Sequence, residues 1–367
     1  MKNFPMMEEL NQSLISDQKN NNFRKRRRAS IKIAIIFLVF ISGGFAFYTS
    51  GLLKNEKKSE IEGESAVKGE MDVKTNSDSA NLLSQYSFPI PVYSPVKKEG
   101  ISDLHIPNAH SSIVIDVDSG TILHYNKGEE ERQIASLTKM MTAVLVVENI
   151  EDLENEKVVI DEEAVYAEGT RIGCPRTGYC VGTRLKVGEV ISAKELLKAM
   201  LMNSANDSAI ALAKHIGGTQ EKFAKIMNEK AGEMGLKNSN FCTPSGLEIT
   251  GKEDQCYSSA YDIARIAAYS MKYSVIWDIF KIPNTTIYSF DNKISHEILN
   301  TNAVLEEMPE CLGAKTGFTP LAGRSLMMAA TDKLKKHKVI AVLLDDPYRW
   351  GDAKEMINWA FNSYEWK

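Results

Sequence analysis

"IASLTKMMTAVLV" (residues 134–146) is an apolar run with one charged residue set inside it, Lys139, three positions after Ser136. A lysine buried without partners loses several kcal/mol of hydration, so a helix built only to fill a core avoids one. On a helix, residues i and i+3 share a face with β-carbons about 5–6 Å apart, which lets a hydroxyl and an amine share a proton. Burial lowers a lysine's pKa, and an amine that is neutral part of the time can activate a serine. The same S-x-x-K spacing also describes a surface lysine on an ordinary helix, and only the rest of the chain separates the two readings.

Outward from this run, the pattern changes from helix to strand toward both ends. On the N-terminal side, "SSIVIDVDSGTILHYN" (111–126) holds two apolar runs around Asp118, Ser119 and Gly120, a hairpin signal. On the C-terminal side, helical periodicity covers 136–149, 193–203, 206–216, 219–233 and 259–271. Strand character follows at 285–290, around 313–317, at 323–332 and at 338–346, and an amphipathic helix, "DAKEMINWAFNSY" (352–364), closes the chain. Strands at both ends with helices between them predict an α/β (α+β) fold, one antiparallel sheet flanked by helices with an inserted helical lobe. There is no internal repeat and no glycine-rich phosphate loop.

Two further stretches could carry chemistry. "NSANDSA" (203–209) lies at the junction of two helical patterns, where Ser204 and Asn206 would present a hydroxyl and an amide together. Both are also good helix caps, and Asn206 opens an N-x-S sequon. In "AKTGF" (314–318), Lys315 would offer charge to a substrate carboxylate and Thr316 a hydroxyl. Gly317 would leave room for a substrate backbone to approach an edge strand. A lysine-containing turn is the plain alternative.

In this order, S-x-x-K, S-x-N and K-T-G form the signature of penicillin-binding proteins and serine β-lactamases. The surrounding segments "SLTKMMTAVLVVEN" (136–149), "LKVGEVISAKELLKAMLMNSANDSAIALAKHIGG" (185–218) and "GAKTGFTPLAGRSLMMAAT" (313–331) resemble the serine-type D-alanyl-D-alanine carboxypeptidases, the low-molecular-weight penicillin-binding proteins. The resemblance covers roughly residues 101–365. It implies a β-lactamase/transpeptidase-like fold and a hydrolase that removes the terminal D-alanine from peptidoglycan stem peptides, with β-lactam antibiotics as covalent inhibitors. It makes Ser136 the acylated nucleophile, Lys139 its base and Ser204 a proton relay. It also assigns substrate binding to Asn206, Lys315, Thr316, Gly317, Phe318 and Arg349, with the backbone N–H groups of Ser136 and Phe318 as the oxyanion hole. Endopeptidase, transpeptidase and β-lactamase activity on the same fold, or a silent wall-binding protein, are the alternatives. No cofactor is implied, and the six histidines are scattered without metal-ligand spacing. In "HEILN" (296–300), Glu297 is one residue short of the acidic motif with which class A β-lactamases deacylate, so no catalytic role is expected for it. "IGCPRTGYCVG" looks longer than the family's usual loop, and many relatives continue into a β-rich domain beyond the last helix.

The ends of the chain carry the remaining expectations. A net charge of −4 and a pI near 6.0 give no general attraction to nucleic acid. The local basic cluster Arg24–Arg28 instead precedes "IKIAIIFLVFISGGFAFYTSGLL" (31–53), long enough to cross a bilayer as a helix. Positive charge before the span keeps residues 1–30 in the cytoplasm and sends the rest outside, whether the span stays as a signal-anchor or is cleaved. Residues 54–100 are polar and charged, then proline-rich, and read as a linker ending in an extended stretch, with the catalytic domain at 101–367. Five cysteines in an exported domain favour two local disulfides, Cys174–Cys180 and Cys242–Cys256, leaving Cys311, against the alternative of free thiols.

Overall fold

The computed structural model describes residues 93–174 and 180–367. The expected basic tail, the apolar span at 31–53 and the linker as far as residue 92 lie outside the described residues. Among the described residues no helix is long and apolar enough to cross a membrane.

The chain enters through β1 (Pro95–Lys97), β2 (Ser111–Asp116) and β3 (Ile122–Asn126). A 3-10 turn (Ala135–Thr138) then runs directly into α1 (Lys139–Asn149), followed by β4 (Lys157–Val159), α2 (Glu162–Val165) and β5 (Val190–Ser192). Four larger helices follow, α3 (Ala193–Met202), α4 (Asn206–Gly217), α5 (Gln220–Glu233) and α6 (Ala260–Ser270), then the shorter α7 (Ser274–Phe280). The chain closes with β6 (Asn284–Tyr288), β7 (Ser295–Leu299), β8 (Cys311–Thr319), β9 (Gly323–Thr331), β10 (Lys338–Leu344), α8 (Arg349–Ser363) and β11 (Tyr364–Trp366).

Five strands form one antiparallel sheet in the order β3-β2-β10-β9-β8, so the two ends of the chain interleave as the sequence predicts. Both faces of this sheet are covered. Ile113, Ile115, Met327, Ala329, Ile340 and Val342 pack toward the helical lobe. Their strand neighbours Val114, Leu326, Met328, Val339, Ala341 and Leu343 pack against Ala353, Met356, Ile357 and Ala360 of α8. A strand buried on both sides has no polar face, which is why "KVIAVLL" reads as a continuous apolar run. Three of the lobe helices, α3, α5 and α6, start at side-chain caps: Ser192 accepts from Glu195 N, Thr219 from Lys222 N and Ser259 from Asp262 N.

The extended end of the expected linker is β1, which pairs antiparallel with β11, Pro95 opposite Trp366. The packed body therefore starts a few residues before the boundary at 101. The disulfides Cys174–Cys180 and Cys242–Cys256 are both formed, and Cys311 is a buried free thiol.

Candidate active site

Three segments distant in sequence meet beside β8, an edge strand of the sheet. The 3-10 turn brings the first. Ser136 sits in that turn, and Lys139 is the first residue of α1, so the pair straddles a 3-10 to α transition instead of one continuous α-helix. Side chains three apart eclipse in a 3-10 turn, which brings the two polar tips together. Lys139 Nζ donates to Ser136 Oγ at 2.8 Å, to Asn206 Oδ1 at 2.7 Å and to the Ser245 carbonyl at 2.6 Å. The lysine is wholly buried, while Ser136 stays partly accessible.

The second segment is the junction between α3 and α4. Neither Ser204 nor Asn206 serves as a cap: the N-cap of α4 is Ala205, without a side-chain hydrogen bond. Ser204 instead occupies the left-handed region at φ 63° and accepts from Lys315 Nζ at 2.7 Å. Asn206 gives its oxygen to Lys139 and donates Nδ2 to Glu168 O at 2.7 Å. Asp207, beside it, accepts from Ile172 N and Ser208 N, which ties the segment containing Cys174 to α4.

The third segment is β8. Lys315 is wholly buried, and Gly317 lies so close to the 3-10 turn that an added Cβ would stand 2.7 Å from Ile134 O. No side chain fits there. Thr316 Oγ1 is 3.4 Å from Thr301 Oγ1, and Thr301 in turn hydrogen-bonds Met202 O at the end of α3. Arg349 Nη1 donates to Gly317 O and Ser325 O at 2.8 and 3.0 Å, spanning β8 and β9. Phe318 follows on β8 opposite Arg324. All nine residues expected from the sequence thus belong to one assembly around β8 and the 3-10 turn. Glu297 does not: it sits on the exposed side of β7.

The charges follow from burial. Lys139 is held well below the ordinary lysine range, first by desolvation and then by the nearby Lys315 charge, with Asp207 opposing. Lys315 is pushed down to about 7, by burial and then by Arg349. Asp207 is raised to about 6 because burial outweighs its two backbone donors. In its ammonium form Lys139 donates to all three acceptors; once neutral, the amine has two N–H groups and one lone pair. With Asn206 Oδ1 and Ser245 O taking the two N–H groups, the lone pair of Lys139 is left for the Ser136 hydroxyl. This arrangement can deprotonate the serine for acyl transfer, while Lys315 offers positive charge and a second hydroxyl, Ser204, beside it.

Two contributors escape sequence reading. Ser245 acts through its main-chain carbonyl, and Ala135 acts through backbone shape at φ 48°; neither role depends on the side chain. The one usable sign is Gly246 in "TPSGLE", whose φ of 80° marks the tight bend after Ser245.

The family model described as D-alanyl-D-alanine carboxypeptidase matches residues 100–348. The D-alanyl-D-alanine carboxypeptidase DacF of Bacillus subtilis is 34% identical over 264 residues, covering 70% of this chain and 63% of the relative. A D-alanyl-D-alanine endopeptidase of Pseudomonas aeruginosa is 29% identical over 253 residues, covering 69% of this chain and 76% of the relative. Among solved structures, penicillin binding protein 5 from Haemophilus influenzae superposes with a TM-score of 0.61 at 29% identity, covering 72% of this chain and 73% of that one. The chain spans about 63% of the length of the first two curated relatives it matches.

Proposed function

The chain belongs to the peptidase S11 family of D-alanyl-D-alanine carboxypeptidases, and from that premise we propose that it removes the terminal D-alanine from peptidoglycan stem peptides through an acyl-enzyme on Ser136. The observation that carries the proposal is the contact, at 2.8 Å, of the Ser136 hydroxyl with a buried Lys139 whose desolvation holds it well below the ordinary lysine range.

In this reading Ser136 Oγ attacks the carbonyl of the penultimate D-alanine as Lys139 takes its proton. The backbone N–H groups of Ser136 and Phe318 receive the developing oxyanion, and the approach of Gly317 to the 3-10 turn supports that pairing. An extended peptide adds to the edge of β8, with Asn206 on its amide and Lys315 and Thr316 on its terminal carboxylate. Arg349 adds positive charge from behind Gly317, whose carbonyl it holds. Ser204, on Lys315, passes a proton to the departing D-alanine amine, and water hydrolyses the acyl-enzyme. β-Lactams would acylate the same serine.

The finer topology is proposed on sequence grounds alone: a single-pass anchor at 31–53, a linker, and a catalytic domain outside the cytoplasmic membrane of a bacterium. The test is incubation of the full-length protein with a diacyl-D-Ala-D-Ala peptide and, separately, with penicillin, followed by mass spectrometry. Free D-alanine and a penicilloyl adduct on Ser136 are expected, both lost in Ser136→Ala. Cleavage of a peptide cross-link with no release of terminal D-alanine would replace this reading with an endopeptidase.

A further inference from the structure

One of the acceptors that aim Lys139 belongs to a segment closed by a covalent bond. Ser245 lies within 242–256, whose ends are joined by the Cys242–Cys256 disulfide. The segment's only regular structure is a 3-10 turn, Glu253–Gln255. It touches the site at four places. Ser245 O accepts from Lys139 at 2.6 Å, and Pro244 O accepts from Thr142 Oγ1 of α1 at 2.7 Å. Gly246 packs so tightly on the 3-10 turn that an added Cβ would stand 1.9 Å from Ala135 O. Glu248 accepts a hydrogen bond from Thr319 of β8. Just outside the disulfide, Asn240 and Tyr257 exchange two backbone hydrogen bonds, at 2.9 and 3.0 Å. The base of the segment is therefore held independently of the sulfurs, and opening the disulfide removes the covalent constraint inside it, leaving these non-covalent contacts alone to hold Ser245 O on Lys139.

We propose that the Cys242–Cys256 disulfide is a positioning pair for acylation, holding the Ser245 carbonyl on Lys139, and that a small dithiol slows acylation reversibly by opening it. The inference rests on the reading of Lys139 as base. With Ser245 O withdrawn, the neutral amine is no longer obliged to spend an N–H there and can turn about its Cε–Nζ bond, pointing an N–H at Ser136 where the lone pair is required. Water admitted to the site also relieves desolvation of the ammonium form, which raises the pH at which the neutral base appears. Both cysteines are partly exposed, so a dithiol can reach them. One of its thiolates attacks a sulfur of the disulfide, and its second thiol then displaces the mixed disulfide. The protein gains two electrons and two protons as two thiols, and the dithiol leaves as a cyclic disulfide.

The experiment follows the acylation rate of the full-length protein by a fluorescent penicillin between pH 6 and 9. Three samples are compared: oxidised, opened with dithiothreitol and trapped with iodoacetamide, and opened then re-oxidised. Peptide mapping identifies which pair was opened, with Cys174–Cys180 as the internal comparison. Opening Cys242–Cys256 should slow acylation by about 10- to 100-fold, the scale of a misplaced catalytic group. It should also move the acidic limb to higher pH, with labelling still reaching one per chain and near-UV circular dichroism unchanged. Re-oxidation should restore both rate and limb, and the C242S/C256S double variant should reproduce the slow, displaced profile without dithiol. An unchanged rate and limb in protein mapped as open at Cys242–Cys256 would overturn the proposal. So would a loss of rate that tracks loss of near-UV signal, since that would make the bond a stability element only. No acylation of Ser136 in the oxidised protein would remove the carboxypeptidase reading and this inference together, an outcome distinct from acylation that ignores the disulfide.

Discussion

Replacing Lys315 with methionine should change how the protein's stability depends on pH, in a direction fixed by the burial of the lysine. Its folded pKa is pushed down to about 7 from the ordinary lysine value of 10.5. Between those values the unfolded chain binds a proton that the folded protein releases, so stability rises with pH across that window. The burden on the folded state is complete below about pH 7 and gone above about 10.5. Each pH unit across the window corresponds to about 1.4 kcal/mol, which sets a ceiling of roughly 5 kcal/mol for the whole shift. Methionine keeps most of the volume and carries no charge. It leaves the Ser204 hydroxyl and the Thr316 carbonyl without their donor, a loss of about 1–3 kcal/mol each that does not vary with pH. Lys139 will absorb part of the change, because the Lys315 charge is one reason its own pKa is low. Urea unfolding of both proteins at intervals from pH 6.5 to 10 gives the difference in stability between variant and parent. That difference should fall by several kcal/mol in the variant's disfavour as pH rises. A difference flat to within about 0.5 kcal/mol would refute the idea that Lys315 is held desolvated in the folded state.

Lys139→Ala should lower acylation by penicillin by at least about 100-fold, the lower range for a general base, while Glu297→Ala on the exposed side of β7 should acylate like the parent; stopped-flow labelling measures both. Asp207→Asn should remove a stability slope on the acid side. The folded pKa of Asp207 is raised to about 6, so its contribution is complete below about pH 4 and lost as pH rises through 6, about 3 kcal/mol in all; urea midpoints from pH 4 to 7 should flatten there. Gly246→Ala should destabilise the protein by more than about 2 kcal/mol in thermal unfolding, because a side chain at φ 80° is strained and its Cβ would collide with Ala135 O.

What the sequence made legible divides along a physical line. The sheet residues that carry their own pattern, "SSIVID", "GRSLMMAAT" and "KVIAVLL", read as strands and are strands, and the lobe segments with helical periodicity are helices whether side-chain capped or, like α4, not. Elements with no such mark do not show in the sequence. Helix α7 follows an N-cap, Tyr273, that makes no side-chain hydrogen bond, and β1 and β11 are three residues each, too short for any period to show, so that β1 reads only as an extended stretch. Strand β7 reads poorly because its inward positions are His296 and Ile298. The histidine is buried only by virtue of Glu189 Oε1 at 2.7 Å and Thr183 O at 2.9 Å, partners more than a hundred residues away.

The candidate site follows the same division with a sharper consequence. Ser136, Lys139, Ser204, Asn206, Lys315 and Thr316 are proposed to act through their side chains, and side-chain chemistry is what a sequence spells out. The arrangement that would make Lys139 a base is not spelled out, because the carbonyl of Ser245 is an atom every residue possesses. Its selection depends on the Gly246 bend, the left-handed Ala135 beneath it and the disulfide across 242–256. A substitution that keeps every motif residue yet disturbs that segment should therefore retain the family signature and lose the geometry. The converse holds on β8: Gly317 is part of the motif because the 3-10 turn leaves no space for a Cβ, so there the motif and the packing constraint are the same fact.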